Sequence, residues 1–259
     1  MAGNSNFCTL NPNAQISSGT FSTGLLLFKH TSNAWRTSIG TFAVSTGKWY
    51  WEACQPADKS GNGFPVGVYD LSDGKFTDEQ EANYPGQATS TYGSGYAAYS
   101  YTTSTRSGYY HNGTETAFTD LGTGAAGDVW QCALDLDNGK LFFGKNNTWD
   151  NSANPATGTN PISSTITTTS QGGWTPVTCS YNSTSSEVYI QNFGQDSFFG
   201  GNKATGSANA ADGNGFGDFY YAPPSGFLAL CSNNLPISSD IDPAGDGADT
   251  ENPTKQFET

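Results

Sequence analysis

The stretch of residues 129–145 constrains the fold of this chain more than any other feature. On either side of Asn138-Gly139, apolar and polar side chains alternate. Alternation with period two predicts β-strands, and Asn-Gly between two such strands is a strong signal for a hairpin with a two-residue type I′ turn. In that register Asp137 faces Lys140, and the segments share one apolar face. That face consists of Trp130, Cys132, Leu134, Leu136, Leu141 and Phe143.

The rest of the chain also has the character of short strands. Only 13% of its 259 residues are charged and 14% are aromatic, a composition that disfavours long helices. No convincing amphipathic helix is present, so we predict an all-β protein with short or no helices. The predicted strands are residues 7–10, 25–28, 41–44, 48–54, 66–71, 95–101, 107–110, 129–137, 140–145, 174–181, 187–192 and 227–231.

The charge of the chain excludes several kinds of partner. The formal net charge is −13, and ten Lys and Arg residues spread along the chain form no basic face. Nucleic acids and anionic membrane surfaces are therefore not expected partners. We also expect no membrane insertion and no Sec export, because the sequence contains neither a bilayer-spanning apolar run nor a secretory signal. The acidity itself favours solubility.

Three long polar stretches interrupt the strand pattern: residues 72–93, 150–173 and 196–221. Loops of this length in a compact domain are usually functional or disordered. From residue 237 the chain becomes rich in Asp, Pro and Gly. We therefore predict a folded domain over residues 1–236 and an acidic tail or linker over residues 237–259.

Aromatic side chains near these loops are the candidate binding residues. Rings beside Asn, Ser and Gly suit adaptable protein contacts, although they could equally cover the ends of the domain. The candidates are Tyr84, Tyr92, Tyr109, Tyr110, Trp149, Phe219, Tyr220 and Tyr221. The other five tryptophans are predicted to lie in the core: Trp35, Trp49, Trp51, Trp130 and Trp174.

No residue set predicts catalysis, a metal or a cofactor. Asp135 and Asp137 have the spacing of a carboxylate pair, but they border a tight turn, where a solvent-facing, turn-stabilising role is expected. The acidic residues after position 237 lack the regular ligand spacing of a calcium loop. The two histidines are far apart in sequence, and no cysteines have Cys-x-x-Cys spacing, so a zinc site is not expected.

The order of several motifs resembles that of the SPRY family. The most specific stretch is residues 127–143, with a Gly-Asp, an apolar strand, an Asp-bearing turn and a second strand. The resemblance covers roughly residues 6–236. The other motifs that match the family are residues 35–40, 45–52, 66–69, 95–96, 174–177 and 192–194. The resemblance implies a sandwich of two antiparallel sheets, similar to that of concanavalin A. It also implies that the protein functions by binding and not by catalysis.

Two further motifs resemble a subgroup of SPRY proteins found in tailed phages. They are residues 6–12 and residues 223–236. The resemblance implies a virion protein of a tail fibre or capsid surface that binds a virion partner or a host-surface protein or polysaccharide. Homo-oligomerisation is expected, because fibres are commonly symmetric. Two alternatives remain open: a structural homo-oligomer subunit and a carbohydrate-active enzyme.

The sandwich implied by the resemblance would also place the first and last strands close together. Cys8 and Cys231 could then be neighbours, with free thiols favoured over a disulfide because assembly takes place in a reducing cytoplasm. The stretch of residues 196–221 and the pair Asn146-Asn147, where the family usually has Asn-Gly, depart from the family pattern.

Overall fold

The computed structural model describes residues 5–14, 19–30, 34–56, 62–73, 84–87, 94–101, 106–167, 172–181, 189–204 and 210–236. These residues form two packed β-sheets. All strand pairs are antiparallel except for one short parallel pair. The prediction of an all-β, two-sheet antiparallel sandwich with short or no helices is confirmed. The predicted tail, residues 237–259, lies outside the described residues.

The strands of the first sheet are β1 (Gly19–Ser22), β2 (Leu27–His30), β4 (Lys48–Cys54), β10 (Val129–Asp135), β11 (Lys140–Lys145), β12 (Thr148–Trp149), β14 (Ile190–Asn192) and β15 (Leu228–Ala229). Their order in the sheet is β1-β2-β14-β4-β10-β11-β12, and β15 pairs in parallel with β4.

The strands of the second sheet are β3 (Trp35–Ile39), β5 (Asn62–Phe64), β6 (Gly67–Asp70), β7 (Gly95–Tyr101), β8 (Ser107–His111), β9 (Thr114–Ala117) and β13 (Trp174–Tyr181). Their order in the sheet is β3-β13-β5-β7-β8-β9, and β6 pairs with both β13 and β7. The helices among the described residues are single 3-10 turns: Pro12–Ala14, Leu71–Asp73, Asp150–Ser152 and Pro155–Thr157.

The main core lies between the facing sides of the two sheets. Trp49 and Trp51 of β4 and Trp130 of β10 are each no more than 1% exposed there. Trp174 joins the same cluster from the second sheet. Because side chains alternate along a strand, Tyr50 and Glu52 of β4 point to the other side of the first sheet. That side is also buried, so every residue of β4 after Lys48 is buried.

The β10–β11 hairpin keeps its predicted apolar face but not its predicted register. Asp135, not Asp137, pairs with Lys140, so residues 136–139 form a four-residue loop. Positive φ occurs at Gly139 but not at Asn138, so the type I′ turn does not form. The buried Asp135 carboxylate accepts hydrogen bonds from the amide and side chain of Asn138, which stabilises the longer loop. The observed pairing is shifted by two residues from the predicted one. Such a shift leaves each side chain on its predicted face of the sheet, because side chains alternate with a period of two along a strand.

The outer side of the first sheet is covered by residues 210–221, called here the cover segment. Phe219 of this segment is fully buried against Tyr50, with 5.1 Å between the ring centroids. An antiparallel bridge joins Ala210 to Phe219. These side chains form a second core with Ala133, Phe142, Phe227, Ala229 and Cys231. The chain therefore seals one outer face of its own sandwich.

The first and last described segments meet, as the resemblance implied. Phe7 pairs with Cys231, and the Cys8 amide donates to the carbonyl of Leu230 at 2.8 Å. Cys8 packs in the main core and Cys231 in the core under the cover segment, and both are free thiols. Adjacent strand residues point to opposite faces, which separates the two sulfur atoms even though the strands touch.

Several strand predictions differ from the structure. Residues 41–44 do not form a strand, although Val44 makes a single bridge to Trp174. Strands β1, β3, β5, β9 and β12 were not predicted. Their sequences carry few aliphatic residues, and they pair with neighbours that come from distant parts of the chain or from short hairpins. Tertiary pairing, not local propensity, makes them strands.

Candidate interaction surface

The outer face of the second sheet carries a group of aromatic side chains, called here the outer aromatic cluster. Its members are Trp35, Phe64, Tyr84, Tyr99, Tyr110 and Tyr181. Five of them come from five different strands, at positions that point away from the main core. Phe64 is 1% exposed and Tyr99 is 5% exposed, whereas the other four rings are partly exposed.

The rings of this cluster pack on one another around Phe64. Tyr84 stacks on Phe64 at 5.2 Å, and Tyr110 meets Phe64 edge-on at 5.6 Å. Trp35 lies 5.4 Å from Phe64 and 4.9 Å from Tyr181. Edge-to-face and offset arrangements at these distances are the favoured geometries of aromatic pairs. The rings of the cluster therefore support one another in a defined arrangement.

A charged pair borders the cluster. Arg106 forms an ion pair with Glu115 and donates a hydrogen bond to the Tyr110 hydroxyl at 2.7 Å, and its guanidinium lies 5.8 Å from the Tyr99 ring centroid. Partial burial and the hydrogen bond to Glu115 raise the pKa of Tyr110. Partial burial opposes ionisation of Glu115, but hydrogen bonds from Arg106 and Tyr110 outweigh it and lower its pKa. The Arg106 side chain remains 57% exposed.

The structure brings together two of the predicted binding residues, Tyr84 and Tyr110, with ring centroids 5.1 Å apart. Tyr109 points the other way, towards Phe143 on the inner side. Tyr92 lies outside the described residues. Trp35, predicted for the core, is instead a partly exposed member of the outer aromatic cluster.

The remaining predicted residues lie near the outer face of the first sheet. Trp149 is 6.5 Å from the Tyr50 ring, and Phe219 is fully buried, so its ring is not accessible to a partner. Tyr220 and Tyr221 are half-buried and meet edge-on at 4.9 Å. The cluster was not evident from sequence, because its rings are separated by up to 146 positions (181 minus 35) and meet only through strand pairing.

A buried acidic network, which the sequence did not predict, lies beneath Tyr220 and Tyr221. The Glu52 carboxylate is 0% exposed. It accepts hydrogen bonds from the amides of Tyr220 at 2.9 Å and Tyr221 at 2.8 Å. The Tyr50 hydroxyl, at 2.8 Å, and the Asn192 side chain, at 3.3 Å, donate to the same carboxylate.

The environment of Glu52 changes its ionisation. Burial raises the pKa of Glu52 to about 7, although the hydrogen bonds from the cover segment oppose this shift. Burial also raises the pKa of Tyr50, and neighbouring Glu52 adds to the effect. One signal could have indicated this site: a single acidic residue within the otherwise largely apolar stretch of residues 49–54.

Asp135 and Asp137, the two carboxylates with the spacing of a catalytic pair, contact different partners. Asp135 is 1% exposed and pairs with Lys48 at 3.0 Å, so the expectation that it faces solvent is wrong. The exposed Asp137 accepts a hydrogen bond from the Gly47 amide at 2.7 Å, a turn-stabilising role. Within the described ranges, no three His, Cys, Asp or Glu side chains are grouped to hold a metal ion. In the same part of the chain, no helix is long and apolar enough to span a membrane.

Comparison with solved structures finds similarity to SPRY domains. The chain is similar to the SPRY domain of human HERC1, with 18% identity and a TM-score of 0.47 over 70% of this chain and 96% of that chain. It is also similar to the PSpry domain of TRIM65, with 16% identity and a TM-score of 0.47 over 71% of this chain and 91% of that chain. No protein-family model and no curated protein matches the chain. The two-sheet architecture is established by the strand pairing itself.

Proposed function

We propose that this chain is a non-catalytic interaction module of a phage particle, on a tail fibre or the capsid surface, and that it binds a protein partner through the outer aromatic cluster. One observation carries the binding surface. The chain covers the outer face of its first sheet with its own residues, whereas four rings on the outer face of the second sheet remain partly exposed.

The chemistry of this surface supports a protein partner. Trp, Tyr and Arg dominate the energetic hot spots of protein interfaces, and the outer aromatic cluster with Arg106 supplies all three. Rigid rings lose little conformational entropy on binding. The Tyr110 hydroxyl is already hydrogen-bonded to Arg106 and Glu115. A partner that covers these groups would therefore not leave them without hydrogen-bond partners.

The assignment to a phage particle is supported by the sequence resemblance at the two ends of the domain, residues 6–12 and 223–236. In the structure these segments lie side by side, through the pairing of Phe7 with Cys231. They are therefore part of the fold itself, and none of their residues belongs to the outer aromatic cluster. A virion location and the binding surface are separate parts of the proposal and can be tested separately.

Site-specific photocrosslinking in assembled particles tests the surface. A photoreactive phenylalanine analogue replaces Tyr181, inside the outer aromatic cluster. The matched control replaces Leu25, which is 36% exposed on the turn between β1 and β2. We expect covalent products with a second virion protein from position 181 and none from position 25. Absence of the chain from purified particles would contradict the phage assignment.

Other outcomes distinguish the alternatives. Products formed only between copies of this chain would favour the structural homo-oligomer subunit and overturn the partner proposal. Release of new reducing ends from capsular or cell-wall polysaccharide would favour the carbohydrate-active enzyme. Tyr84→Ser and Arg106→Ala are each expected to weaken partner binding about tenfold or more while leaving the fold intact.

A further inference from the structure

The partly exposed rings of the outer aromatic cluster form a row across the second sheet. In order, the row consists of Tyr181, Trp35, Tyr84 and Tyr110, with successive ring centroids 4.9, 5.5 and 5.1 Å apart. Tyr181 and Trp35 are paired on β13 and β3 at one side of the sheet, and Tyr110 lies on β8 near the opposite edge. Tyr84 lies between them, stacked on the buried Phe64 of β5.

We propose that this row binds an uncharged, proline-rich segment of the partner in the polyproline II conformation. The proposal rests on the proposed binding function and adds the chemistry of the partner. A polyproline II helix rises about 3.1 Å per residue, so about five residues would cover the row. Three properties of the row support such a segment: the angles between its rings, its hydrogen-bond donors and the charges at its end.

Neighbouring rings of the row are turned relative to one another. Along the row from Tyr181 to Tyr110, the successive angles between ring planes are 51°, 63° and 74°. The row therefore presents ring edges and ring faces in alternation instead of one flat surface. Sugar rings stack best on a flat aromatic face, whereas proline-rich segments dock in grooves lined by several aromatic side chains. The ring angles thus favour a proline-rich peptide over a polysaccharide.

The polar groups of the row suit a backbone that lacks N–H donors. The indole N–H of Trp35 and the hydroxyls of Tyr84 and Tyr181 make no hydrogen bond to another described residue. An indole only donates, and a tyrosine hydroxyl donates as well as accepts. Each proline supplies a backbone carbonyl but no N–H, and a polyproline II helix has no internal hydrogen bonds. These three donors can therefore pair with carbonyls that docking would otherwise bury without a partner.

The charges at the Tyr110 end of the row compensate each other. Arg106 forms an ion pair with Glu115, and both side chains are hydrogen-bonded to the Tyr110 hydroxyl. A basic segment would compete with Arg106 for Glu115, and an acidic segment would be repelled by a chain of net charge −13. An uncharged segment leaves the ion pair intact and is therefore complementary in charge to this surface.

Titration of the full chain with a blocked decaproline peptide, followed by NMR, tests the proposal. This peptide is uncharged, has no N–H within its proline run and adopts the polyproline II conformation. We expect saturable binding with a Kd below about 1 mM. The indole N–H resonance of Trp35, assigned with Trp35→Phe, should shift on binding. A blocked Gly-Ser peptide of the same length is the matched control and should cause no saturable shift.

Variants separate the contribution of a ring from that of a donor, with affinity followed through the Tyr181 amide. Tyr84→Ser removes a ring from the middle of the row and is expected to weaken decaproline binding about tenfold or more. Trp35→Phe keeps a ring but removes the indole donor, and should weaken binding about three- to tenfold. Tyr220→Ser, which changes a half-buried tyrosine near the first sheet, should leave it unchanged. If Tyr84→Ser fails to fold by circular dichroism, Trp35→Phe and the two peptides still decide.

The outcomes distinguish this proposal from the proposed binding function. Decaproline binding no tighter than that of the Gly-Ser peptide, or equal affinity of wild type and folded Tyr84→Ser, would overturn the proposal. If photocrosslinking from position 181 captures a second virion protein at a segment without proline, the binding function stands and the proline-rich class is wrong. Saturable shifts of the same resonances by capsular polysaccharide, with none by decaproline, would overturn both.

Discussion

Gly139 offers the most direct test of the observed hairpin. Its φ is +66°, and a Cβ added there would lie 2.8 Å from the carbonyl oxygen of Ile166. That approach is closer than real Cβ atoms show, and the contact is with backbone, which yields less easily than a side chain. Gly139 itself accepts a hydrogen bond from the Ile166 amide at 2.9 Å, so the two segments are held together.

Gly24 provides a matched control for the change to alanine. Its φ is +65°, almost the same as at Gly139, but a Cβ there would meet no atom within 4 Å. Left-handed backbone costs an alanine about 1 to 2 kcal/mol at either position. Displacing the Ile166 backbone adds about 1 to 3 kcal/mol at Gly139 alone.

The expected result is a larger loss for Gly139→Ala than for Gly24→Ala. At about 2 to 4 °C per kcal/mol for a domain of this size, the two melting temperatures should differ by about 2 to 12 °C. Thermal unfolding followed by circular dichroism or calorimetry measures this difference. Equal losses would refute the close approach between Gly139 and Ile166 and, with it, the four-residue loop.

Further predictions concern the cover segment and the thiols. Phe219→Ala should destabilise the domain by about 3 to 5 kcal/mol in urea unfolding, because it empties the space against Tyr50; a loss below about 1 kcal/mol would contradict that packing. Asp212→Ala should cost about 1 to 3 kcal/mol, since its carboxylate accepts hydrogen bonds from the Ala229 and Phe216 amides; Asn214→Ala at the exposed tip should cost much less. All five thiols should resist a thiol reagent until unfolding, because each is buried and burial raises the pKa of Cys8, for example, to about 11; rapid reaction of any native thiol would contradict this.

Sequence patterns predicted the central strands well, because these strands combine alternation with clear turn signals. Strands β4, β7, β11 and β13 have the predicted bounds, and β8 differs by one residue. The apolar face of the β10–β11 hairpin is also as predicted. Its register is not, because the Asp135 side chain stabilises a longer loop than Asn-Gly normally forms.

The candidate surface was predictable only in part. Tyr84 and Tyr110 were identified from their place beside loops, and the structure joins them. Trp35 and Tyr181 were not identified, because a ring in a strand pattern can face either the main core or the outer side. Phe219 was a candidate binding residue that could equally cover an end of the domain, and it covers the chain's own sheet, since Tyr50 and Phe142 present an apolar surface there.

Local sequence therefore determined the class of the fold and which residues of each long strand share a face, because alternation with period two and turn chemistry act over a few residues. Tertiary structure alone decided that residues 210–221 cover the outer face of the first sheet, whereas four aromatic rings on the outer face of the second sheet remain partly exposed. It also decided that Glu52 is buried under the amides of Tyr220 and Tyr221, 168 and 169 positions away. Such contacts depend on how distant segments pack, and no local pattern encodes their distance or their burial.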